Sequence, residues 1–97
     1  MPLGRLSKKD ISGGLRRQSK AFRRCYQGEL AKNPDLEGKV YLKFIILPDG
    51  RVVEEHILRS QLNSPAVEEC MLTVLRPINF GPAIGKSTVT YPFVFYK

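Results

Sequence analysis

The chain has 97 residues, of which 42% are hydrophobic and 26% charged, a composition typical of one small folded domain rather than a disordered chain. Its length excludes a doubly wound nucleotide-binding fold, a TIM barrel and any two-domain enzyme. The net charge of +7 is concentrated in residues 1–24, which hold eight basic side chains and one acid, whereas residues 25–97 are neutral. The sequence therefore describes a neutral domain with a basic N-terminal segment.

The first predicted element is a helix over residues 7–32. Ser7 is a suitable N-cap, with Asp10 three residues later, as in a capping box. Gly13 and Gly14 together cost roughly 2 kcal/mol relative to alanine, so a start after them is the alternative. Apolar side chains fall on one broad face of this helix: Ile11, Leu15, Ala21, Phe22, Cys25 and Tyr26.

A β-hairpin is predicted next, with strands over residues 39–47 and 51–59. The turn between them, residues 48–51, has the sequence Pro-Asp-Gly-Arg, which supplies a glycine where positive φ is needed. The alternation of the second strand changes phase near Glu54 and Glu55, which predicts a bulge. The first strand has one strongly apolar face, formed by Val40, Leu42, Phe44 and Ile46.

A second helix and a third strand follow the hairpin. Ser64 is placed to cap the helix with Pro65 at its first position, and Pro77 ends it. The last strand is predicted over residues 87–96. Its apolar face is formed by Val89, Tyr91, Phe93 and Phe95.

The order of these elements, α-β-β-α-β, predicts the fold class. We expect an α+β, two-layer domain in which two helices cover one face of a three-stranded antiparallel sheet. The domain spans residues 7–97, and residues 1–6 form a disordered N-terminal tail.

The third strand is expected at an edge of this sheet. The simplest pairing puts it antiparallel to the first strand, and Pro92 suits an edge because it has no N–H to donate. One interpretation is a docking edge for a partner strand; the other is that Pro92 protects the edge from aggregation. The docking interpretation assigns partner contacts to Thr88, Val89, Thr90, Tyr91, Val94 and Tyr96.

The remaining reactive side chains do not indicate an enzyme. Cys25 and Cys70 lie on the inward faces of their predicted helices, so they either form a disulfide or remain two small buried thiols. His56 is the single histidine, and Glu54 and Glu55 point to opposite faces of a strand. We therefore expect no catalytic residue, no cofactor and no metal.

The basic helix offers a second candidate surface, which we expect to lie apart from the edge strand. Its interpretations are a solvated face, or contact with acidic lipid, peptidoglycan, an acidic protein or nucleic acid. A small basic nucleic-acid-binding module is thus the alternative function, although the element order is not that of an RNA-recognition domain. The residues are Arg16, Arg17, Lys20, Arg23 and Arg24.

Several short motifs occur in a recognisable order. They are Gly38-Lys39-Val40, Asp49-Gly50-Arg51-Val52 and Tyr91-Pro92-Phe93-Val94-Phe95, together with a Cys25-Tyr26 pair and Cys70 in the second helix. Over residues 7–96 this pattern resembles the C-terminal domain of TonB-type energy transducers. It is most similar to the AgmX/PglI-type domain of gliding-motility proteins. The chain departs from the TonB pattern before the last strand, where it lacks tryptophan and has Gly81 in place of a proline.

The resemblance implies a non-enzymatic interaction domain in the periplasm. Its parent protein would be anchored in the inner membrane and serve energy transduction, transport or gliding motility. The last strand would dock an extended segment of an outer-membrane or envelope protein by β-augmentation. A homodimer is a further partner prediction, and nucleic acid is not expected. An oxidising compartment would favour a disulfide between Cys25 and Cys70.

Overall fold

One antiparallel sheet organises the molecule. In a computed structural model, residues 6–96 are described, so residues 1–5, most of the predicted tail, and Lys97 lie outside the description. The elements in chain order are α1 (Lys8–Arg16), α2 (Ser19–Leu30), β1 (Gly38–Ile46), β2 (Val52–Ser60), α3 (Pro65–Leu75) and β3 (Ser87–Phe95). The strand order is β2-β1-β3. The predicted α+β fold class is confirmed.

The predicted first helix is two helices. The structure interrupts it at Arg17–Gln18, and the two glycines lie inside α1 instead of preceding it. The Ser7 hydroxyl accepts a hydrogen bond from the Asp10 N–H at 3.1 Å, and the Asp10 carboxylate accepts one from the Ser7 N–H at 3.0 Å. This capping box starts the helix ahead of the glycines. A Cβ atom on Gly14 would lie 2.7 Å from the Phe80 ring, so the glycine permits a close contact that compensates for its low helix propensity.

The two ladders of the sheet differ in regularity. Nine residue pairs join β1 to β3 without a shift, from Gly38↔Phe95 to Ile46↔Ser87. The β1–β2 register shifts twice. One shift places Glu54 and Glu55 opposite a single β1 residue, which confirms the predicted bulge, and Glu54 has φ 52°. The other shift leaves Leu58 as an extra residue and had no signal in the sequence.

The hairpin turn is packed against the loop that precedes β3. Gly50 has φ 90°, as predicted for this turn, and a Cβ atom there would collide with the Asn79 side chain. The Phe80 N–H donates to the Gly50 carbonyl at 3.0 Å, and the Ala83 N–H donates to the Pro48 carbonyl at 2.9 Å. Gly81 has φ 84°, which a proline cannot adopt, so glycine suits the shape of this loop.

The core lies between the three helices and one face of the sheet. The capped α3 begins at Pro65, and the Ser64 hydroxyl accepts from the Val67 N–H, as predicted. A disulfide joins Cys25 on α2 to Cys70 on α3, with a Cα–Cα distance of 5.6 Å. The sequence had left this pair open between disulfide and thiols. Side chains with 2% exposure or less include Leu15, Phe22, Tyr26, Val40, Leu42, Phe44, Val67, Met71 and Leu75.

Candidate functional site

The β3 edge is regular enough to accept another strand. Its ladder to β1 continues through the pair Tyr41↔Pro92. Because proline has no N–H, it fits this ladder when its nitrogen faces away from β1. Residues two apart in a strand share that orientation, so the backbone groups of Thr88, Thr90 and Val94 also face outward. A strand added here would find three outward N–H donors and one gap, at Pro92.

The predicted docking residues divide between two faces. Thr88 and Thr90 are exposed on the sheet face away from the helices, and Val94 is 47% exposed. Tyr96, 67% exposed, follows the end of β3. Val89 is only 7% exposed and belongs to the core, in keeping with its place on the apolar face of the strand, so its side chain is not presented to a partner. Tyr91 is half-buried and faces the helices.

A groove runs between the N-terminal helices and β3. Its larger part has a volume of about 410 Å³ and is lined by Leu15, Arg16, Ser19, Lys20, Phe22 and Arg23 on one side and by residues 91–95 on the other. A smaller part of about 180 Å³ continues along the same strand, between α2 and residues 94–96. The outward edge of β3 therefore borders a cleft rather than open surface.

Aromatic rings form the floor of this groove. The Phe22 and Phe93 ring centroids are 4.6 Å apart, and those of Tyr26 and Phe95 are 5.0 Å apart. Four helical residues rise about 6 Å, close to the ~6.8 Å covered by two strand residues. Because the two spacings match, Phe22 and Tyr26 on α2 can each lie beside a ring of β3. The Tyr26 hydroxyl is held by donating a hydrogen bond to the Leu36 carbonyl.

Part of the basic surface belongs to the same groove. Arg16, Lys20 and Arg23 line it, whereas Arg17 and Arg24 do not. The expectation that the basic surface lies apart from the edge strand is therefore wrong for three of its five residues. Within residues 6–96, none of the three groove cations has an ion-pair or hydrogen-bond partner for its side chain. Their charges are exposed and available to a ligand.

The spacing of these residues contains a signal that the sequence analysis missed. Positions 20, 23 and 27 repeat at intervals of three and four residues, which is one stripe of α2, and Arg16 lies four residues earlier, at the end of α1. The stripe flanks the buried face marked by Phe22 and Tyr26. Because α2 contacts β3 through the Phe22–Phe93 and Tyr26–Phe95 ring pairs, this stripe borders the strand edge. Helical periodicity identifies the stripe, but only the packing shows which strand it meets.

The opposite edge of the sheet has a different electrostatic arrangement. The Arg76 guanidinium donates to the Glu55 carboxylate at 2.8 Å and to the Glu69 carboxylate at 3.2 Å. The hydrogen bond from Arg76 holds the pKa of Glu55 below its usual value. This network ties α3 to β2.

The other residues considered for chemistry are not brought together. His56 is exposed, with Nδ1 3.0 Å from the Glu54 carbonyl oxygen. In the part of the chain that the structure describes, no three His, Cys, Asp or Glu side chains are arranged to hold a metal ion. Between residues 6 and 96, no helix is both long and apolar enough to cross a membrane. The disulfide is compatible with an oxidising compartment.

No protein-family model matches the chain, and no curated protein or solved structure matches it either.

Proposed function

We propose that this is a non-enzymatic protein-interaction domain that binds an extended segment of a partner along the outer edge of β3. The observation that carries the proposal is the uninterrupted β1–β3 ladder, which leaves a straight row of outward backbone groups beside the groove. Main-chain hydrogen bonds supply affinity in β-augmentation, and pockets for alternate side chains supply specificity. The edge and the cleft beside it provide both.

The setting proposed for this activity comes from the resemblance to TonB-like and AgmX/PglI-type domains. The domain would work in the periplasm, in a parent protein anchored in the inner membrane, and would connect it to an outer-membrane or envelope protein for transport or motility. The Cys25–Cys70 disulfide supports an oxidising compartment. A homodimer formed through the same edge is the second partner arrangement within this proposal.

The test combines a peptide array with NMR. Ten-residue peptides rich in β-branched residues are screened for binding, and bound peptides are titrated into the ¹⁵N-labelled domain. We expect the amides of Thr88, Thr90 and Val94 to shift most. A binding peptide is then N-methylated at single positions, and we expect loss of affinity at every second position, since backbone N–H groups alternate in direction. Peptides that bind without moving an amide in residues 87–96 would contradict the proposal.

A second candidate function is nucleic-acid binding, because three exposed cations that have no partner among residues 6–96 lie in one groove. Phosphate contacts would make affinity fall steeply with salt. A fluorescent ten-residue oligothymidine titrated at two salt concentrations tests it directly. Steep loss with salt would favour this function, and absence of binding at low salt would eliminate it.

A further inference from the structure

We infer that the segment docked on β3 is acidic, with carboxylates at alternate positions that face α1 and α2 and reach Arg16, Lys20 and Arg23. The inference rests on the proposed function and adds the chemistry of its partner. It starts from the three cations of the groove wall, which are exposed and have no anionic partner within residues 6–96.

The two sides of the docking edge differ in charge. Successive side chains of an added strand point alternately toward the helices and toward the open face of the sheet. On the helix side they meet the groove cations and the aromatic floor. On the open side they lie beside Thr88, Thr90 and Val94, which carry no charge. The complementary segment therefore alternates acidic residues with uncharged ones.

The spacing of the cations suits this alternation. Lys20 and Arg23 are three residues apart on α2, which separates their backbones by about 4.5 Å along the helix axis. Alternate residues of an added strand are about 6.8 Å apart. The long, flexible side chains of lysine and arginine cover the difference. Two glutamates separated by one residue can therefore each reach a cation of the groove.

A second copy of the chain is a poorer occupant of this groove. Residues 87–95 contain no aspartate or glutamate, so a β3–β3 pair would offer the groove cations no counter-charge. Such a pair would also bring two sets of like charges to one interface, which opposes association. Charge complementarity thus favours a foreign acidic segment.

The experiment uses two peptides of equal length, one alternating glutamate with valine and threonine, the other with glutamine at each glutamate position. Binding is measured by fluorescence anisotropy, with amide shifts recorded in parallel. At low salt we expect the glutamate peptide to bind about tenfold more tightly, since a few exposed ion pairs together supply roughly 1.4 kcal/mol. That advantage should shrink as salt is raised.

Two matched variants locate the effect. Lys20→Gln/Arg23→Gln removes two groove charges, and Arg17→Gln/Arg24→Gln removes two charges from the same region outside the groove. We expect the first pair to abolish the preference for glutamate and the second to retain most of it. All these positions are exposed, so thermal melting should show that both variants fold.

The outcomes separate the inference from the function it rests on. If both peptides shift the β3 amides with equal affinity, the acidic preference is overturned and edge docking stands. If neither peptide shifts them, edge docking fails and the inference fails with it. If both charge-removal variants lose the preference equally, the effect is one of net charge and the assignment to the groove is overturned. Displacement of the glutamate peptide by oligothymidine would favour nucleic acid as the occupant.

Discussion

The two edges of the sheet differ in how regularly their backbone groups are arranged. The β2 edge carries two bulges, and one of them contains Glu54 at positive φ. Along β3, nine pairs run without a shift, and Pro92 leaves one gap in the outward donors. Bulges twist an edge away from pairing, whereas a single proline leaves most of the row intact. A small sheet can thus protect one edge by distortion and keep the other in a form that binds a strand.

The difference extends to what each edge lies against. Arg76 connects β2 to α3 through Glu55, so the Glu55 carboxylate is already paired. Beside β3, Arg16, Lys20 and Arg23 have no such partner among the described residues. Paired charges hold elements of the fold together, and exposed charges without partners attract a ligand. The four predictions below test this contrast, from the largest expected effect to the smallest.

Removing the aromatic floor should affect the β3 side most strongly. Phe22 is 1% exposed and contacts Phe93, so Phe22→Ala should lower the free energy of unfolding by about 3–5 kcal/mol. Ile57→Ala, at a half-buried position on β2, should cost clearly less. Urea denaturation followed by circular dichroism measures both. Equal losses of unfolding free energy in the two variants would contradict the larger contribution assigned to the aromatic floor.

Breaking the disulfide should loosen the helix wall of the groove. It closes a loop with a sequence separation of 45 residues. Its removal in Cys25→Ala/Cys70→Ala should cost about 2–4 kcal/mol. Hydrogen exchange should rise more in α2 than in β2, because Cys25 lies on α2. Unchanged melting of the variant, with mass spectrometry confirming the bond in the parent, would show that helix packing suffices without it.

Changing the proline pattern of β3 should alter docking with little effect on the fold. Pro92→Thr supplies the missing outward donor, worth about 1 kcal/mol or roughly fivefold in peptide affinity, and should increase self-association. Thr90→Pro removes an outward donor and should weaken binding by a similar factor. Sedimentation and peptide titration measure the two effects. Weaker binding by Pro92→Thr would contradict the outward orientation of residue 92, and a collapse of the fold in Thr90→Pro would show that residue 90 faces β1.

Acidification should weaken the link between β2 and α3 by a small amount. The folded pKa of Glu55 lies below its unfolded value of 4.5, so its contribution to stability is present above pH 4.5 and is lost as pH falls through the folded pKa. Urea midpoints at pH 7 and pH 3 should therefore differ less in Glu55→Gln than in the parent protein. Asp10, whose pKa is also lowered by hydrogen bonds with Ser7, contributes the same pH dependence of stability to both proteins. Its contribution therefore cancels when the two proteins are compared.

Local chemistry predicted much of this fold, and packing decided the rest. The Ser64–Pro65 helix start, the positive φ of Gly50 and the bulge at Glu54–Glu55 depend on a few neighbouring residues, and all are present. The break at Arg17–Gln18 has no comparable signal in the sequence. The tolerance of Gly14 inside a helix depends on Phe80, which is distant in the chain.

The candidate site was predicted in part. The apolar alternation of β3 identified the strand, and Pro92 identified its edge. Helical periodicity could also have grouped Arg16, Lys20 and Arg23. No local signal says that this stripe borders β3, because the contact depends on how α2 lies across the sheet.

The bulges of β2 also limit the number of partner strands that one domain can bind. A partner strand that pairs with β3 becomes the new edge of the sheet. Each domain therefore binds one strand, and the outer side of that strand then faces solvent. Growth into a filament would need a second domain to join through β2, whose register shifts at Leu58 and at Glu54–Glu55 prevent a continuous ladder. The expected stoichiometry is therefore one partner segment on each domain, without a polymer built through β2.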